Sequence, residues 1–158
     1  MSKNAKLAIL GKKLAYVYDN GWEYSIYYEN ASRVQYHVVS GPAGGRFAYQ
    51  DAKYAEVAPD IFNIVWYEET GTIVSQVVNL AAGTVHAFVA FPRWLWENPA
   101  RSHGRKQDKL DELLRMRDEG PDAPRKLVYM TARISAIEDL GENVENFLEP
   151  LYTAGSAI

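Results

Sequence analysis

The sequence predicts a mainly β protein: an antiparallel sheet able to close into a barrel, with one or two peripheral helices near the C-terminus. Short runs rich in Val, Ile, Tyr and Trp recur between Leu14 and Phe91, separated by turn residues. In one run Val34, Tyr36 and Val38 alternate with Arg33, Gln35 and His37, the period of a sheet with two unlike faces. Aromatic residues make up 13% of the chain, which suits strands and also suits a pocket for a flat ring.

Residues 14–18 form the first expected strand. It stops at Asp19-Asn20-Gly21, where Asn and Gly tolerate the positive φ of a hairpin turn. Residues 22–28 resume the strand, Asn30-Ala31-Ser32 turns it, and 33–39 continue it. The stretch from Ser40 to Gly45 is a loop, followed by a short strand at 46–49. Further strands are expected at 53–58, 61–68, 72–79 and 84–91, with short connections that indicate a meander. Closing such a sheet removes its edges, and about eight strands can enclose one small ligand. After Pro92 the chain turns polar and basic. Residues 106–119 read as a helix, with Leu110, Leu113, Leu114 and Arg117 at helical spacing and Gly120-Pro121 ending it. Residues 127–137 form a last strand, and 138–158 a tail with a short helical turn. Residues 1–158 read as a single domain with a helical insertion at about 101–120, because the segment from Leu127 onward is too short to fold alone.

Composition narrows the function. A net charge of −3 gives no attraction for a polyanion, so nucleic acid is not an expected partner. The absence of cysteine excludes disulfides, thiolate catalysis and Cys-ligated metal centres. No stretch reaches the roughly 18 apolar residues that span a bilayer, and residues 1–10 lack the apolar core of a secretory signal. A cytoplasmic protein without membrane contact is expected. His37, His86 and His103 are too scattered to suggest a metal site, and His86 reads as strand packing.

The segment Tyr16-Val17-Tyr18-Asp19-Asn20-Gly21-Trp22-Glu23-Tyr24 resembles the signature of the phenolic acid decarboxylases. Gly45-Arg46-Phe47, then Trp66 through Thr72, then His86 through Trp94 match the same family in the same order. A single Asn-Gly turn would be a weak signal, whereas the ordered set is specific. The resemblance spans residues 12 to 98 and weakens beyond them. It implies a lipocalin-like barrel, usually a homodimer, that removes CO₂ from p-coumaric, caffeic or ferulic acid without a metal or organic cofactor. It also implies catalytic roles for Tyr16, Tyr18, Arg46 and Glu68.

That chemistry suits these residue types. Direct loss of CO₂ from a cinnamate leaves a vinyl carbanion without an electron sink, a role cofactors often fill. A 4-hydroxyl offers a substitute: once the phenol loses its proton and the α-carbon gains one, a quinone methide can accept the electrons. Glu68 is the candidate acid, since burial raises a carboxyl pKa towards neutrality. Alternation along a strand predicts that only one of Glu68 and Glu69 points inward. Tyr16 and Tyr18 share one strand face and could grip either the substrate phenolate or its carboxylate. Arg46 could pair with the substrate carboxylate or orient Glu68. Asn20, Trp22 and Tyr24 are second-rank candidates for the pocket or its mouth, although an Asp-Asn-Gly turn needs no function.

Ile26 stands where the family often has an aromatic, so substrate range is open. Met130 and Thr131 occupy a region where some members carry a carboxylate, and that role is not carried over. Two other readings fit the same barrel: a non-catalytic binder of small aromatic ligands, and an enzyme acting on another 4-hydroxyaryl substrate.

Overall fold

The computed structural model describes residues 6–144. The helical turn expected in the tail lies, from residue 145 onward, outside the described residues. Seven strands run in succession: β1 (Lys12–Tyr18), β2 (Glu23–Asn30), β3 (Arg33–Val38), β4 (Arg46–Ala58), β5 (Ile61–Tyr67), β6 (Ile73–Asn79) and β7 (Thr84–Phe91). They are followed by helix α1 (Arg93–Glu97), a short strand β8 (Gly104–Arg105), helix α2 (Leu110–Glu119) and the long strand β9 (Lys126–Asp139).

Each strand from β1 to β7 pairs antiparallel with its successor except β7, which pairs with β9. The other edge of β9 pairs with β1. These pairings close an eight-stranded antiparallel barrel, leaving β8 as a short parallel addition at the start of β4. The inward face carries the core: Leu14, Ile26, Val34, Phe62, Ile64, Val78 and Val85 are fully buried. Val34, Tyr36 and Val38 are all buried, as their alternation predicts.

β4 is one strand where the sequence suggests two. Its first half pairs with β3 as far as Asp51, and its second half pairs with β5 from Ala52. The polar pair Gln50-Asp51 looks like a break, but Gln50 is 1% exposed and bonded inside the wall. The helix expected from residue 106 starts at Leu110, because Lys106 is drawn into the barrel wall and residues 106–108 form a separate 3-10 turn. α1 was not expected; its buried Trp94 and Leu95 form a second small core with Leu113 of α2. His86, read as strand packing, stands on the outer face of β7 and contacts Thr131. Among the described residues, no helix is long and apolar enough to cross a membrane.

Candidate active site

The barrel encloses a cavity with about 560 Å³ of empty space, counting the part open to solvent. Most of its wall is apolar, and two polar clusters face it.

The first cluster comes from β1, β2 and β6. Tyr16 and Tyr18 share the inner face of β1, and their rings meet edge-on at 5.2 Å. Tyr24 of β2 lies parallel to Tyr16 at 6.1 Å and edge-on to Tyr18 at 5.4 Å. The Gln76 amide orders the group: its Nε2 donates to the Tyr16 hydroxyl at 2.9 Å, and its Oε1 accepts from the Tyr28 hydroxyl at 2.9 Å. Burial pushes the Tyr16 hydroxyl up to about 12, and burial pushes Tyr18 well above its ordinary value. These tyrosines therefore remain neutral at physiological pH and have hydroxyl protons to donate.

The second cluster comes from β3, β4 and the turn after β5. Glu68 Oε2 accepts from the Tyr36 hydroxyl at 2.7 Å and from Trp66 Nε1 at 2.8 Å. Among the described residues, Glu68 Oε1 has only a 3.3 Å contact with Arg46 Nη2. The same Nη2 lies 2.6 Å from Glu69 Oε2, and Arg46 Nε donates to the Tyr36 oxygen at 3.2 Å. Gln50 and Lys106 complete the shell around Glu69.

Both glutamates are buried, Glu68 at 6% and Glu69 at 5% exposure, but only Glu68 lines the barrel cavity, as expected of an adjacent pair. β5 ends at Tyr67, and residues 68–71 form a turn closed by Gly71 N donating to Glu68 O, with Gly71 at φ +93°. The inward and outward facing of Trp66 and Tyr67 carries on into this turn. Glu68 turns into the cavity, while Glu69 follows the turn to the Gln50 side of the wall.

Electrostatics separate the two carboxyls. Burial raises the pKa of Glu68 above the usual carboxylate range; the Arg46 charge opposes this and the neighbouring Glu69 adds to it. Burial acts on Glu69 too, but Arg46, Lys106 and hydrogen bonds from Arg46 and Gln50 outweigh it, so Glu69 is held below its ordinary value. Arg46 is buried against its own charge, and the acidic groups around it keep it cationic.

Of the residues singled out in the sequence, Tyr16, Tyr18, Tyr24, Arg46 and Glu68 line the cavity. Asn20 does not: it is exposed in the hairpin turn, where its Oδ1 accepts from the Trp22 amide at 3.0 Å. Trp22 lines a smaller adjoining cavity with Pro42 and Trp96, which shares Tyr24, Ala43, Phe91, Leu95 and Ser102 with the main one. Tyr36, Trp66 and Gln76 also line the cavity but were not among the site candidates. Gln76 carried a signal, since it shares a strand face with Val74 and Val78, and a lone amide on an apolar face needs a partner. Among the described residues, no group of three or more His, Cys, Asp or Glu could hold a metal ion.

A family model described as phenolic acid decarboxylase matches residues 7–152. A Vibrio cholerae protein named "Probable phenolic acid decarboxylase" is 34% identical, covering 92% of this chain and 84% of its own length. Phenolic acid decarboxylase PadC of Bacillus subtilis is 28% identical, covering 88% of this chain and 87% of its own. A solved Burkholderia vietnamiensis structure described as a "putative beta-lactamase" overlays with a TM-score of 0.59 at 17% identity, covering 84% of this chain and 99% of its own. That likeness speaks for the fold alone. The family match spans nearly the whole chain and both polar clusters, and the chain belongs to the phenolic acid decarboxylases.

Proposed function

We propose that the protein decarboxylates 4-hydroxycinnamic acids such as p-coumaric, caffeic and ferulic acid through a quinone methide, with Glu68 as the proton donor. The observation that supports this best is a buried carboxyl whose two oxygens are unequally served. Oε2 takes two strong donors and fits a carbonyl oxygen, so Oε1, with its single long contact, carries the proton.

The substrate ring lies among the apolar wall residues, with its 4-oxygen towards Tyr16 and Tyr18. The phenol proton passes to solvent at the cavity mouth, Glu68 gives its proton to the α-carbon, and the 4-oxygen becomes a carbonyl that accepts from the tyrosine hydroxyls. The bond to the carboxylate then breaks. Its electron pair forms the vinyl double bond, the ring regains aromaticity, the 4-oxygen takes a proton back from solvent, and Glu68 is reprotonated from solvent. One proton is consumed per turnover, through Glu68. The residues supply donors, an acid and a fixed cation, and no step draws on a cofactor.

The homodimer and the cytoplasmic setting belong to the same proposal. Leu127 and Tyr129 are 51% and 75% exposed on the outer face of β9, and Phe88 of β7 packs against Tyr129 with ring centroids 5.0 Å apart. An apolar outer face of this kind supports pairing with a second copy.

The test is p-coumarate in deuterated water with the purified protein and no additive. The expected product is 4-vinylphenol with one deuterium on the terminal vinyl carbon, while cinnamate lacking the 4-hydroxyl stays unchanged. Turnover of cinnamate, or an unlabelled vinyl carbon, overturns the mechanism.

A further inference from the structure

Glu69 and Lys106 take no part in the proposed reaction, and neither lines the substrate cavity. Both line a second cleft, beside Leu110 and Leu114 of α2, which shares Glu68 with the main cavity. Yet both are buried, at 5% and 9% exposure. Burying charges costs more than an ion pair returns unless geometry and extra hydrogen bonds compensate. Here they do. Lys106 Nζ donates to Tyr49 O at 2.8 Å and to Gln50 Oε1 at 3.2 Å, and it lies 3.5 Å from Glu69 Oε1. Gln50 Nε2 donates to the same Glu69 oxygen at 2.9 Å.

We propose that Glu69 is a positioning residue that captures the Arg46 guanidinium and thereby leaves the proton on Glu68, while its counter-ion Lys106 partly neutralises the Glu69 charge and so limits that effect. This rests on the reading of Glu68 as the acid.

Two carboxyls compete for one guanidinium nitrogen. Glu69 holds Arg46 Nη2 at 2.6 Å and Glu68 only at 3.3 Å. The carboxyl with the shorter contact and the second cation nearby ionises first, and its negative charge then disfavours ionisation of its neighbour. The groups that act on Glu68 are Arg46 from β4, Tyr36 from β3, Trp66 from β5 and the adjacent Glu69, with Tyr24 of β2 coupled to it electrostatically. Those that act on Glu69 are Arg46, Gln50 and Lys106. The raised Glu68 and lowered Glu69 agree with this division.

The experiment is kcat against pH for the wild type, Glu69→Gln, Lys106→Gln and the double variant. Activity falls as pH rises through the Glu68 pKa, because the acid must be protonated. Removing the Glu69 charge releases Arg46 to Glu68, so that limb moves down by about one pH unit. Removing the Lys106 charge takes away a cation, so the limb moves up by about as much. The double variant falls between them. A merely structural role lowers melting temperature or kcat at every pH and moves neither limb. Limbs that stay in place, or shift in the same direction, overturn the proposal. If Glu69→Gln does not fold, Lys106→Gln decides alone, and no upward shift overturns it. Glu68→Gln separates the two readings: full turnover there removes the acid itself, whereas an inactive Glu68→Gln with unmoved limbs removes only the positioning role.

Discussion

Replacing Glu68 with Gln keeps the shape of the side chain and removes the proton it can give. The amide oxygen can take the place of Oε2 and accept from Tyr36 and Trp66 as before. The amide nitrogen then falls at the Oε1 position, 3.3 Å from Arg46 Nη2, where donor faces donor. One long contact is lost, costing about 1–2 kcal/mol of stability. In a chain of this size that lowers the melting temperature by roughly 2–8 °C, so the fold survives. The chemical step suffers far more. A positioned general acid contributes about 10²–10⁴-fold, or roughly 3–5 kcal/mol of barrier. Initial rates on p-coumarate give kcat, and quenching of tryptophan fluorescence gives the dissociation constant directly, so binding and chemistry are read apart. The expected result is a folded variant that binds with near-normal affinity and has lost at least a hundredfold in kcat. A folded variant with kcat within tenfold of wild type refutes Glu68 as the acid. Parallel loss of binding and turnover makes Glu68 a binding group instead.

Two more outcomes are expected from the geometry. Gln76→Leu strips the Tyr16 and Tyr28 hydroxyls of their shared buried partner, at a cost of about 2 kcal/mol, or a fall in melting temperature of about 4–8 °C; an unchanged melting temperature would show that the amide does not order the tyrosines. Tyr129→Lys places a charge on the apolar outer face of β9 and is expected to convert a dimer into a monomer in sedimentation, while a wild-type monomer sinks the dimer proposal.

The strands were legible because each obeys a local rule. Period-2 alternation marks Val34, Tyr36 and Val38, and the Asn20-Gly21 turn marks a hairpin, with Gly21 at φ +91°. The features that were not legible depend on contacts between distant parts of the chain. Gln50 reads as a strand break until Glu69, 19 residues away, is seen to bond it. Lys106 reads as the first turn of a helix until Tyr49 O and Gln50 claim it from 57 and 56 residues away. Tyr36 is one of several tyrosines on apolar faces, and nothing local distinguishes the one that reaches Glu68 Oε2 across 32 residues. Alternation correctly sends only Glu68 into the cavity, but it cannot show that the outward Glu69 is buried, because Arg46 and Gln50 cover it from 23 and 19 residues away. Asn20 shows the opposite error: a residue inside a functional signature can serve the turn alone.

On the proposed mechanism, the charges of the site would let Arg46 hold the substrate carboxylate without resisting its loss. Before reaction, on the proposed mechanism, Arg46 and Lys106 carry two positive charges, Glu69 and the substrate carboxylate carry two negative ones, and Glu68 is neutral. Afterwards CO₂ leaves without charge, and Glu68, having given its proton to the α-carbon, is the second anion. The net charge of the buried site is the same on both sides of the step. The negative charge has moved from the carboxylate to the carboxyl beside it, both within reach of a cation that is fixed by Glu69 and Tyr36. A cation that bound only the substrate carboxylate would lose its partner as CO₂ departs and would stabilise the ground state more than the transition state. On this mechanism Arg46 exchanges one anion for another, with little reorganisation of the groups that hold it. On the proposed mechanism the 3.3 Å contact to Glu68 leaves the proton in place at rest and puts Arg46 near enough to receive the charge once the proton has gone.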